Sequence, residues 1–401
     1  IRKFSNMSDT NSLKKIIILG STGSVGSNTL NVIKRNSSFD VHAITGNNNY
    51  KLLAKQALQF NPKYAVIGNK NHYIKLKDLL KKTSIIVESG YDSILSIASI
   101  KSDVTVSAIS GNAGIASTFS SIGNAAILAL ANKESIVSGG KMLFALAKNN
   151  GTKIIPIDSE HSAIFNILEK YNKKDIANII ITASGGPFLN YSKSDMAHIT
   201  PSDALKHPTW VMGEKITIDS STLMNKGLEI IEACYLFNMK HQDIDVIIHP
   251  QSIVHSMVNL KDGSTIAQLG NPDMRLPISS AIFWPKCMPD AIKKLNLSKI
   301  QNLSFYDPDL DRFPALSLAR NVIEVGGGAP IVYNKANEIA VNAFLLKKIK
   351  FLDIFKVVEM SLNDCNLINL KIDDLNNIFE IITLSEESAL KSINKIVGSV
   401  V

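Results

Sequence analysis

The 401-residue sequence predicts an α/β protein in three parts, and three observations along the chain support this prediction. Strand-like and helix-like apolar runs alternate over about the first 150 residues, which is typical of a parallel sheet built from β-α-β units. Between 154 and 295, strands and helices are mixed without that regularity. From Asp311 onward the strand signals fade, and apolar residues recur at helical spacing. We therefore expect an N-terminal Rossmann-type parallel sheet, a central α+β domain and a C-terminal helical domain.

The expected domain boundaries lie where these patterns change. We place them at 1–153, 154–295, 296–312 for a linker, and 313–401 for the helical domain. Short apolar or β-branched runs predict strands at 16–19, 41–44, 64–67, 84–87, 104–108, 125–130, 179–182, 245–248 and 265–269. Apolar residues three and four positions apart predict C-terminal helices at 316–325, 330–346, 351–362 and 372–396.

The composition argues against several classes of protein. The chain carries 43 Lys and Arg against 35 Asp and Glu, a formal charge of +8, but only five of the basic residues are arginine. No lysine stripe is interleaved with aromatic residues, so we expect no nucleic-acid partner. No apolar run approaches a membrane-spanning length, so we expect no membrane segment. Three widely spaced cysteines argue against a disulfide framework and favour a reducing compartment.

The first glycine-rich turn indicates a dinucleotide site. Gly20, Gly23 and Gly26 follow the first predicted strand and precede a helix with apolar periodicity. This spacing lets the backbone approach a pyrophosphate at a helix N-terminus, as in a Rossmann-type sheet, whereas the alternative is an ordinary glycine turn. The end of the second strand, at 45–49, has no carboxylate for a ribose hydroxyl. Its absence favours NADP over NAD.

Paired carboxylates at Asp158 and Glu160 are a candidate metal site. If the segment is extended, both side chains point to the same side. With Glu229 as a third ligand they form an all-oxygen site of the kind that Mg²⁺ or Mn²⁺ prefers. The alternative is a solvated turn or a helix N-cap, because Asp-Ser-Glu precedes an apolar helix. The spacing alone leaves both interpretations open.

The segment 220–229 indicates a phosphate site beside that metal. Its hydroxyl and amide side chains, next to Lys226, are typical of a helix that begins at Ser220, and helix N-termini attract anions. Asn225 and Glu229 are four residues apart and so lie on one helix face. Glu229 would repel an anion unless a cation lies between them. A divalent metal is the simplest such cation.

Three further segments are candidates for ligand contacts. Ser184 opens a Ser-Gly-Gly turn, which either presents N–H groups to an anion or is a plain turn. The loop 207–213 could close over a ligand, or its Trp210 fills a small surface core. Lys133 follows the last predicted strand of the first sheet, at the edge where such sheets bind ligands. A lone lysine at such a position is otherwise simply solvated.

Seven short motifs occur together and in order along the chain. They are Gly-Ser-Thr-Gly-Ser-Val-Gly at 20–26, Ala-Asn-Lys-Glu-Ser at 131–135, Ile-Asp-Ser-Glu-His at 157–161, Ala-Ser-Gly-Gly-Pro-Phe at 183–188, Met-Asn-Lys-Gly-Leu-Glu at 224–229, His-Pro-Gln-Ser at 249–252 and Pro-Asp-Met-Arg at 272–275. From Lys15 to its C-terminus the chain resembles the 1-deoxy-D-xylulose 5-phosphate reductoisomerase family. The resemblance implies metal-dependent rearrangement of that sugar phosphate and its reduction by NADPH to 2-C-methyl-D-erythritol 4-phosphate, in non-mevalonate isoprenoid biosynthesis.

The resemblance also implies a role for each site residue. The metal ligands would be Asp158, Glu160 and Glu229, and the catalytic residues Lys133, Glu160 and His207. Substrate contacts would come from Ser159, Glu160, Ser184, His207, Trp210, Ser220, Asn225, Lys226 and Glu229. Contacts with NADPH would come from Gly20, Thr22, Gly23, Ser24, Val25, Gly46, Asn47, Asn48, Asn132, Glu134, Gly213 and Met274. Asn47 stands where many relatives carry lysine or arginine, which leaves the contact with the 2′-phosphate open.

The same resemblance implies Mg²⁺ or Mn²⁺, with Co²⁺ as a further candidate, and a homodimer. Two rival functions are a plain NADP-dependent dehydrogenase and a non-catalytic dinucleotide sensor, neither of which needs three convergent carboxylates. Met7 is a candidate natural start, which would leave no room for a targeting segment. With the motif at 249–252, this favours a bacterial cytoplasm. A trimmed plastid (apicoplast) enzyme is the alternative.

Overall fold

The first part of the chain forms a seven-stranded parallel sheet. A computed structural model describes residues 13–206, 210, 212–368 and 370–398. The strand order is β4-β3-β2-β1-β5-β6-β7, and every neighbouring pair is parallel. The strands are β1 (Lys14–Leu19), β2 (Phe39–Gly46), β3 (Tyr64–Ile67), β4 (Ile86–Ser89), β5 (Ser102–Ser107), β6 (Ala125–Leu130) and β7 (Lys153–Pro156).

Helices cover both faces of this sheet. They are α1 (Ser24–Lys34), α2 (Tyr50–Phe60), α3 (Tyr73–Leu80), α4 (Tyr91–Ala98), α5 (Ile115–Ser121) and α6 (Lys133–Asn149). Ile16 and Ile18 of β1 lie in one apolar cluster, whereas Ile17 and Leu19 lie in another. Successive residues of a strand point to opposite faces, so a strand buried on both faces is apolar throughout. This explains the uninterrupted apolar run that predicts β1.

A second, mixed sheet follows, with the strand order β11-β10-β8-β9. Its strands are β8 (Ile176–Ala183), β9 (Ile244–Ile248), β10 (Val254–Leu260) and β11 (Thr265–Leu269). β8 runs parallel to β9 but antiparallel to β10, which is also antiparallel to β11. The helices of this part are α7 (Ser159–Leu168), α8 (Lys193–Met196), α9 (Pro201–Ala204), α10 (Glu214–Ser221), α11 (Met224–Phe237) and α12 (Arg275–Phe283).

The last part is helical in its described residues. Its helices are α13 (Leu297–Ile300), α14 (Ala315–Val325), α15 (Ala329–Leu345), α16 (Asp353–Leu362), α17 (Cys365–Ile368) and α18 (Leu375–Gly398). α15 is central, because it packs against α14, α16 and α18 and also contacts α6 and α10. The helical part therefore supports both sheet-containing parts. Within the described ranges, no helix combines the length and apolarity needed to cross a bilayer.

Two strands, β7 and β10, were not among the predicted strands, and β4 lies two residues later than predicted. β10 was not predicted, because buried His255 and Ser256 interrupt its apolar pattern. β7 pairs with β6, so the parallel sheet continues three residues past the boundary expected at 153. The division into domains otherwise stays a proposal.

Candidate active site

The glycine-rich turn between β1 and α1 is closely packed. Gly20 has φ +88°, and a Cβ atom there would lie 2.6 Å from the Ala108 carbonyl oxygen. A Cβ at Gly26 would lie 2.3 Å from the Gly20 oxygen, so only glycine fits at either position. α1 begins at Ser24, directly after Gly23, with its first N–H groups at the carboxyl edge of the sheet. A pyrophosphate can approach the backbone at such a turn.

The end of β2 lies against this turn. Gly46 is the last residue of β2, and a Cβ there would lie 2.9 Å from the Thr22 methyl carbon. The next two residues, Asn47 and Asn48, are exposed. Val25 packs against the apolar core of the sheet. These five residues of the predicted cofactor site therefore share one edge of the sheet.

Asn132 and Glu134 lie at the beginning of α6. The Asn132 side chain accepts a hydrogen bond from the Ser135 N–H at 2.8 Å and donates to the Ile109 and Gly111 oxygens at 2.9 and 3.0 Å. It also donates to the Glu134 carboxylate at 2.8 Å. The two side chains thus hold the loop after β5 against α6. Their contact with a cofactor stays a prediction.

Three carboxylates converge where α7 meets α11. Asp158 precedes α7, Glu160 lies in its first turn, and one oxygen from each lies within 4.8 Å of a Glu229 oxygen on α11. The segment is thus a helix start and not extended, yet the Asp158 side chain makes no capping hydrogen bond. Its Oδ1 is buried and has no hydrogen-bond partner among the described residues, although His161 Nδ1 lies 3.9 Å away; Ser159 donates to Glu160 at 2.5 Å. An all-oxygen set with a buried, unpartnered acceptor fits a divalent cation.

Two lysines lie among these carboxylates, Lys226 buried and Lys133 with a side chain that is 14% exposed. The Lys226 ammonium lies 2.7 Å from Glu160 and 2.6 Å from Glu229. The Lys133 ammonium contacts Asp158 and lies 3.8 Å from Glu229. A divalent cation at the carboxylates would compete with both ammonium groups for the same oxygens. Lys226 would then be available to another anion.

Burial and charge set the protonation of this cluster. Burial raises the pKa of Glu229 well above its usual range, and the Glu160 carboxylate adds to the effect. Burial acts in the same direction on Asp158, but the Lys133 ammonium outweighs it, so the pKa of Asp158 is lowered. Burial would lower the pKa of Lys133, yet Asp158, Glu232 and Glu229 raise it well above its usual value. Glu229 is therefore the carboxylate that most needs a further cation.

Glu232 is a member of the cluster that the sequence analysis missed. It lies one turn after Glu229 on α11, is 1% exposed, and its carboxylate lies 3.2 Å from the Lys133 ammonium. With Asp158 and His161 it forms a second group whose possible ligand atoms lie within 4.8 Å of one another. His161 Nε2 lies 3.0 Å from the Glu229 carbonyl oxygen and so ties α7 to α11. The three-residue spacing of Glu229 and Glu232 was the available signal.

The helix of segment 220–229 begins at Met224, so the prediction that it begins at Ser220 is wrong. Leu223 has φ +57°, a left-handed conformation that separates α10 from α11. Ser220 therefore lies in the last turn of α10. A Cβ at Gly186 would lie 3.0 Å from the Ser220 carbonyl oxygen, so the Ser-Gly-Gly turn packs directly on this segment.

Asn225 and Glu229 share one face of α11, which confirms that part of the prediction. Asn225 Nδ2 donates to the Glu229 carboxylate at 2.5 Å. Asn225 Oδ1 is buried and has no hydrogen-bond partner within the described ranges. The Ser184 hydroxyl accepts a hydrogen bond from the Gly186 N–H at 3.2 Å. The Ser-Gly-Gly turn and the segment 220–225 thus adjoin each other beside the carboxylate cluster.

The loop 207–213 is described only in part. His207 lies outside the described residues, Trp210 is half-buried, and Gly213 immediately precedes α10. The lid assigned to this loop therefore stays a prediction. Met274 precedes α12 and packs against the apolar core of the parallel sheet, on the side of the predicted cofactor domain.

Comparison with known protein families identifies the family to which the chain belongs. The model of 1-deoxy-D-xylulose 5-phosphate reductoisomerase matches residues 16–140, and two models of its C-terminal domains match 154–237 and 269–388. The chain belongs to the 1-deoxy-D-xylulose 5-phosphate reductoisomerase family. It is 46% identical to the Zymomonas mobilis reductoisomerase over 87% of this chain and 90% of that one. It is 44% identical to the Rhodospirillum centenum reductoisomerase over 91% of each chain.

Solved reductoisomerase structures share the fold. The Zymomonas mobilis reductoisomerase in complex with NADPH has a TM-score of 0.90, 43% identity, and coverage of 95% of this chain and 99% of its own. A reductoisomerase in complex with NADPH, fosmidomycin and magnesium has a TM-score of 0.91 at 38% identity, over 96% of this chain and 99% of its own. These matches confirm the predicted family and fold class.

Proposed function

We propose that this chain converts 1-deoxy-D-xylulose 5-phosphate into 2-C-methyl-D-erythritol 4-phosphate with NADPH and a divalent metal. The observation that carries the proposal is the convergence of Asp158, Glu160 and Glu229 within 4.8 Å, beside Lys133. This group lies at the carboxyl edge of the parallel sheet, since Lys133 follows β6 and Asp158 follows β7. The glycine-rich turn opens on the same edge. Family membership supports the reaction, and solved relatives bind NADPH and magnesium.

We propose that Asp158, Glu160 and Glu229 hold the metal. Carboxylate oxygens alone suit Mg²⁺ and Mn²⁺, with Co²⁺ as a further candidate. When bound, the ion would polarise the ketone oxygen and a neighbouring hydroxyl of the substrate. Lys133 stays protonated among its carboxylate partners and can donate an N–H to the reacting end of the sugar. Ser159 can donate beside it.

The phosphate end of the substrate is assigned to the region around the break between α10 and α11. Ser184, Ser220 and Asn225 offer hydroxyl and amide donors there, and Lys226 offers the charge. With a divalent cation on Glu160 and Glu229, the Lys226 ammonium can turn to the phosphate. Binding of this remote, unreactive group would orient the reacting carbons. His207 and Trp210 are proposed to cover them.

At the cofactor end, NADPH supplies the hydride that reduces the aldehyde formed by rearrangement. The turn at 20–26 and the end of β2 are proposed to bind its phosphates and ribose. Asn132, Glu134, Gly213 and Met274 are proposed to complete the site. Among these, Met274 contributes an apolar side chain.

The test is NADPH oxidation by the purified chain after addition of 1-deoxy-D-xylulose 5-phosphate, with Mg²⁺, with Mn²⁺, and with a chelator. We expect turnover with either ion and none with the chelator. Reduction of a simple aldehyde without metal, and no reaction of the sugar phosphate, would instead support a plain dehydrogenase.

We further propose a homodimer in a bacterial cytoplasm. The bacterial relatives support this location, and a plastid (apicoplast) is the alternative. Light scattering of the purified protein tests the assembly, and a single-chain mass would contradict the dimer. Fractionation of cells that express the native gene tests the location.

A further inference from the structure

The three asparagines after β2 have different partners. Asn49 caps α2, because its side-chain oxygen accepts from the Leu52 N–H at 3.1 Å. The Asn48 side-chain oxygen accepts from the amide nitrogen of Asn69 at 2.9 Å. The backbone oxygen of Asn47 accepts from the Asn69 N–H at 3.1 Å. Asn69 therefore holds two of the three residues at the place where the cofactor's ribose is expected.

The orientation of the Asn69 amide is set by the backbone N–H of Asn71 in the same loop. Its Oδ1 accepts from the Asn71 N–H at 3.0 Å, at the start of a short helical turn after β3. Only its Nδ2 is then left to face Asn48. Because that group can only donate, Asn48 must present its oxygen to Asn69. Because the Asn71 N–H occupies the Asn69 oxygen, the Asn69 NH₂ group binds the Asn48 oxygen. This fixes the orientation of the Asn48 amide.

The consequence is a donor directed at the ribose side. With its oxygen held toward the β3 loop, Asn48 turns its NH₂ group away from that loop. This NH₂ group has no acceptor among the described residues, and Asn48 is exposed at the carboxyl edge of the sheet. A dinucleotide in a Rossmann-type site places its adenosine ribose at the end of the second strand. An NH₂ group there suits a 2′-phosphate, whereas a carboxylate would repel it.

We propose that Asn69 is a positioning residue that makes this chain select NADPH over NADH, by orienting the Asn48 amide as a donor to the 2′-phosphate. The inference rests on the proposed use of NADPH. It explains how the site can favour the phosphate although residues 45–49 include no lysine or arginine. Selectivity is then determined by two hydrogen bonds, one within the loop after β3 (Asn71 N–H to Asn69 Oδ1) and one from that loop to the loop after β2 (Asn69 Nδ2 to Asn48 Oδ1).

The test is Asn69→Asp. The new carboxylate can still accept from the Asn71 N–H, so the turn is retained, but it cannot donate to Asn48. Asn48 is then expected to flip and present its oxygen to the cofactor. Loss of a hydrogen bond to a charged phosphate should lower the ratio of kcat/KM for NADPH to that for NADH about tenfold or more. Asn71→Asp adds the same charge on the same turn at an exposed side chain that has no hydrogen bond to Asn48 among the described residues, and we expect it to leave the ratio within about twofold of wild type.

A double-mutant cycle separates positioning from charge. If Asn69→Asp acts through Asn48, its effect on the ratio should largely disappear when Asn48 is already alanine. An equal effect in both backgrounds, or an equal effect of Asn71→Asp, would overturn the inference. If the aspartate variant is unstable, Asn69→Ser replaces it, because serine keeps a capping acceptor but does not reach Asn48. An unchanged ratio of kcat/KM for NADPH to that for NADH in this variant would also overturn the inference. A wild-type protein that oxidises no NADPH would instead refute the proposed function.

Discussion

At the scale of single residues, the candidate site is a balance between buried charges of opposite sign. Glu229 is fully buried, contacts Lys226 and Asn225, and has a raised pKa because burial and Glu160 disfavour its charge. Glu232, one turn along, faces Lys133. The two carboxylates share Lys133 as a neighbour, 3.8 Å from Glu229, whereas Lys226 and Asn225 contact Glu229. We expect the two carboxylates to have different functions.

Glu229→Gln tests whether Glu229 is a metal ligand. The amide keeps the size of the side chain but removes a charged ligand, so we expect kcat with Mg²⁺ to fall by more than about 100-fold, since groups outside a ligand set already cost 10–100-fold. Circular dichroism should show an intact fold. Near-normal metal-dependent turnover would show that Glu229 is not a ligand.

Glu232→Gln is the matched control on the same helix. It removes a partner of Lys133 and leaves the group of Asp158, Glu160 and Glu229 complete. We expect the Mg²⁺ concentration for half-maximal activity to stay within about threefold of wild type, with the loss confined to kcat. A shift in metal affinity as large as that of Glu229→Gln would instead make Glu232 a ligand, in the second group with His161.

Lys226→Ala tests the phosphate assignment. Loss of the ammonium should raise the KM for the sugar phosphate by about tenfold or more, because a hydrogen bond to a charged group is lost. The KM for NADPH should hardly change. Steady-state kinetics with each substrate varied in turn provide the measurement, and equal increases in both constants would contradict the phosphate role.

The site residues that could be predicted are those whose pattern lies within a short stretch of sequence. The Asp158 and Glu160 pair and the four-residue spacing of Asn225 and Glu229 both appear in short stretches of sequence. That Lys226 contacts Glu160, 66 positions earlier in the chain, depends on how α7 packs on α11. No local pattern contains such information.

At the scale of secondary structure, α11 contributes four residues of the carboxylate and phosphate region, Asn225, Lys226, Glu229 and Glu232. It follows a break at Leu223 and packs closely against the C-terminal helices. A Cβ atom at Gly227 would lie 2.1 Å from the Tyr333 hydroxyl and 3.0 Å from the Ala315 oxygen. Tyr333 is fully buried and donates to that same oxygen at 3.1 Å. The position of α11 therefore depends on a glycine inside the helix.

Gly227→Ala tests this close approach. Alanine favours helix over glycine by about 1 kcal/mol, whereas overpacking of a tight core costs about 1–3 kcal/mol. The Ala315 contact is a backbone oxygen, which cannot move aside as a flexible side chain can. We therefore expect overpacking to outweigh the gain in helix propensity, and the free energy of unfolding to fall by about 1–2 kcal/mol. Denaturant unfolding measures it. In a Tyr333→Phe background the loss should be smaller, because the nearest atom is gone; a gain in stability would contradict the packing argument.

The strands whose bounds were predicted correctly are short runs bounded by turns on both sides. β3, β6 and β11 have the predicted bounds, since each is a short run between turns. The start of α11 could not be predicted, because hydroxyl residues at 220–222 are typical of a helix N-terminus but lie in the last turn of α10 and just after it. Leu223 takes its left-handed conformation while 3% exposed, so burial determines it rather than turn propensity.

At the scale of the whole molecule, the buried cluster links stability to pH and to metal. The folded-state pKa of Glu229 is raised, so the folded protein holds this proton more tightly than the unfolded chain. Its contribution is fully present below the unfolded pKa of about 4.5 and is lost as pH rises through the folded pKa. Asp158 has a lowered pKa, so its contribution disappears only as pH falls below about 4.

We therefore expect the rise in Tm on addition of Mg²⁺ to be larger at pH 8 than at pH 6. Metal binding requires the ionised carboxylate, and the ion offsets the repulsion that develops as Glu229 loses its proton. Thermal unfolding at the two pH values, with and without Mg²⁺, measures the difference. In Glu229→Gln, the rise in Tm on addition of Mg²⁺ should be small at both pH values. An equal rise at both pH values in the wild-type protein would contradict this linkage.

The cluster of Asp158, Glu160, Glu229 and Glu232 with Lys133 and Lys226 also has a consequence for the sequence of events in turnover. When all four carboxylates are ionised, the two ammonium groups leave a net charge of two negative units on the cluster. A sugar phosphate, itself a dianion near neutral pH, meets repulsion there until a doubly charged cation has arrived. At pH values where Glu229 is ionised, we therefore expect ordered addition, with the ion binding before the sugar phosphate.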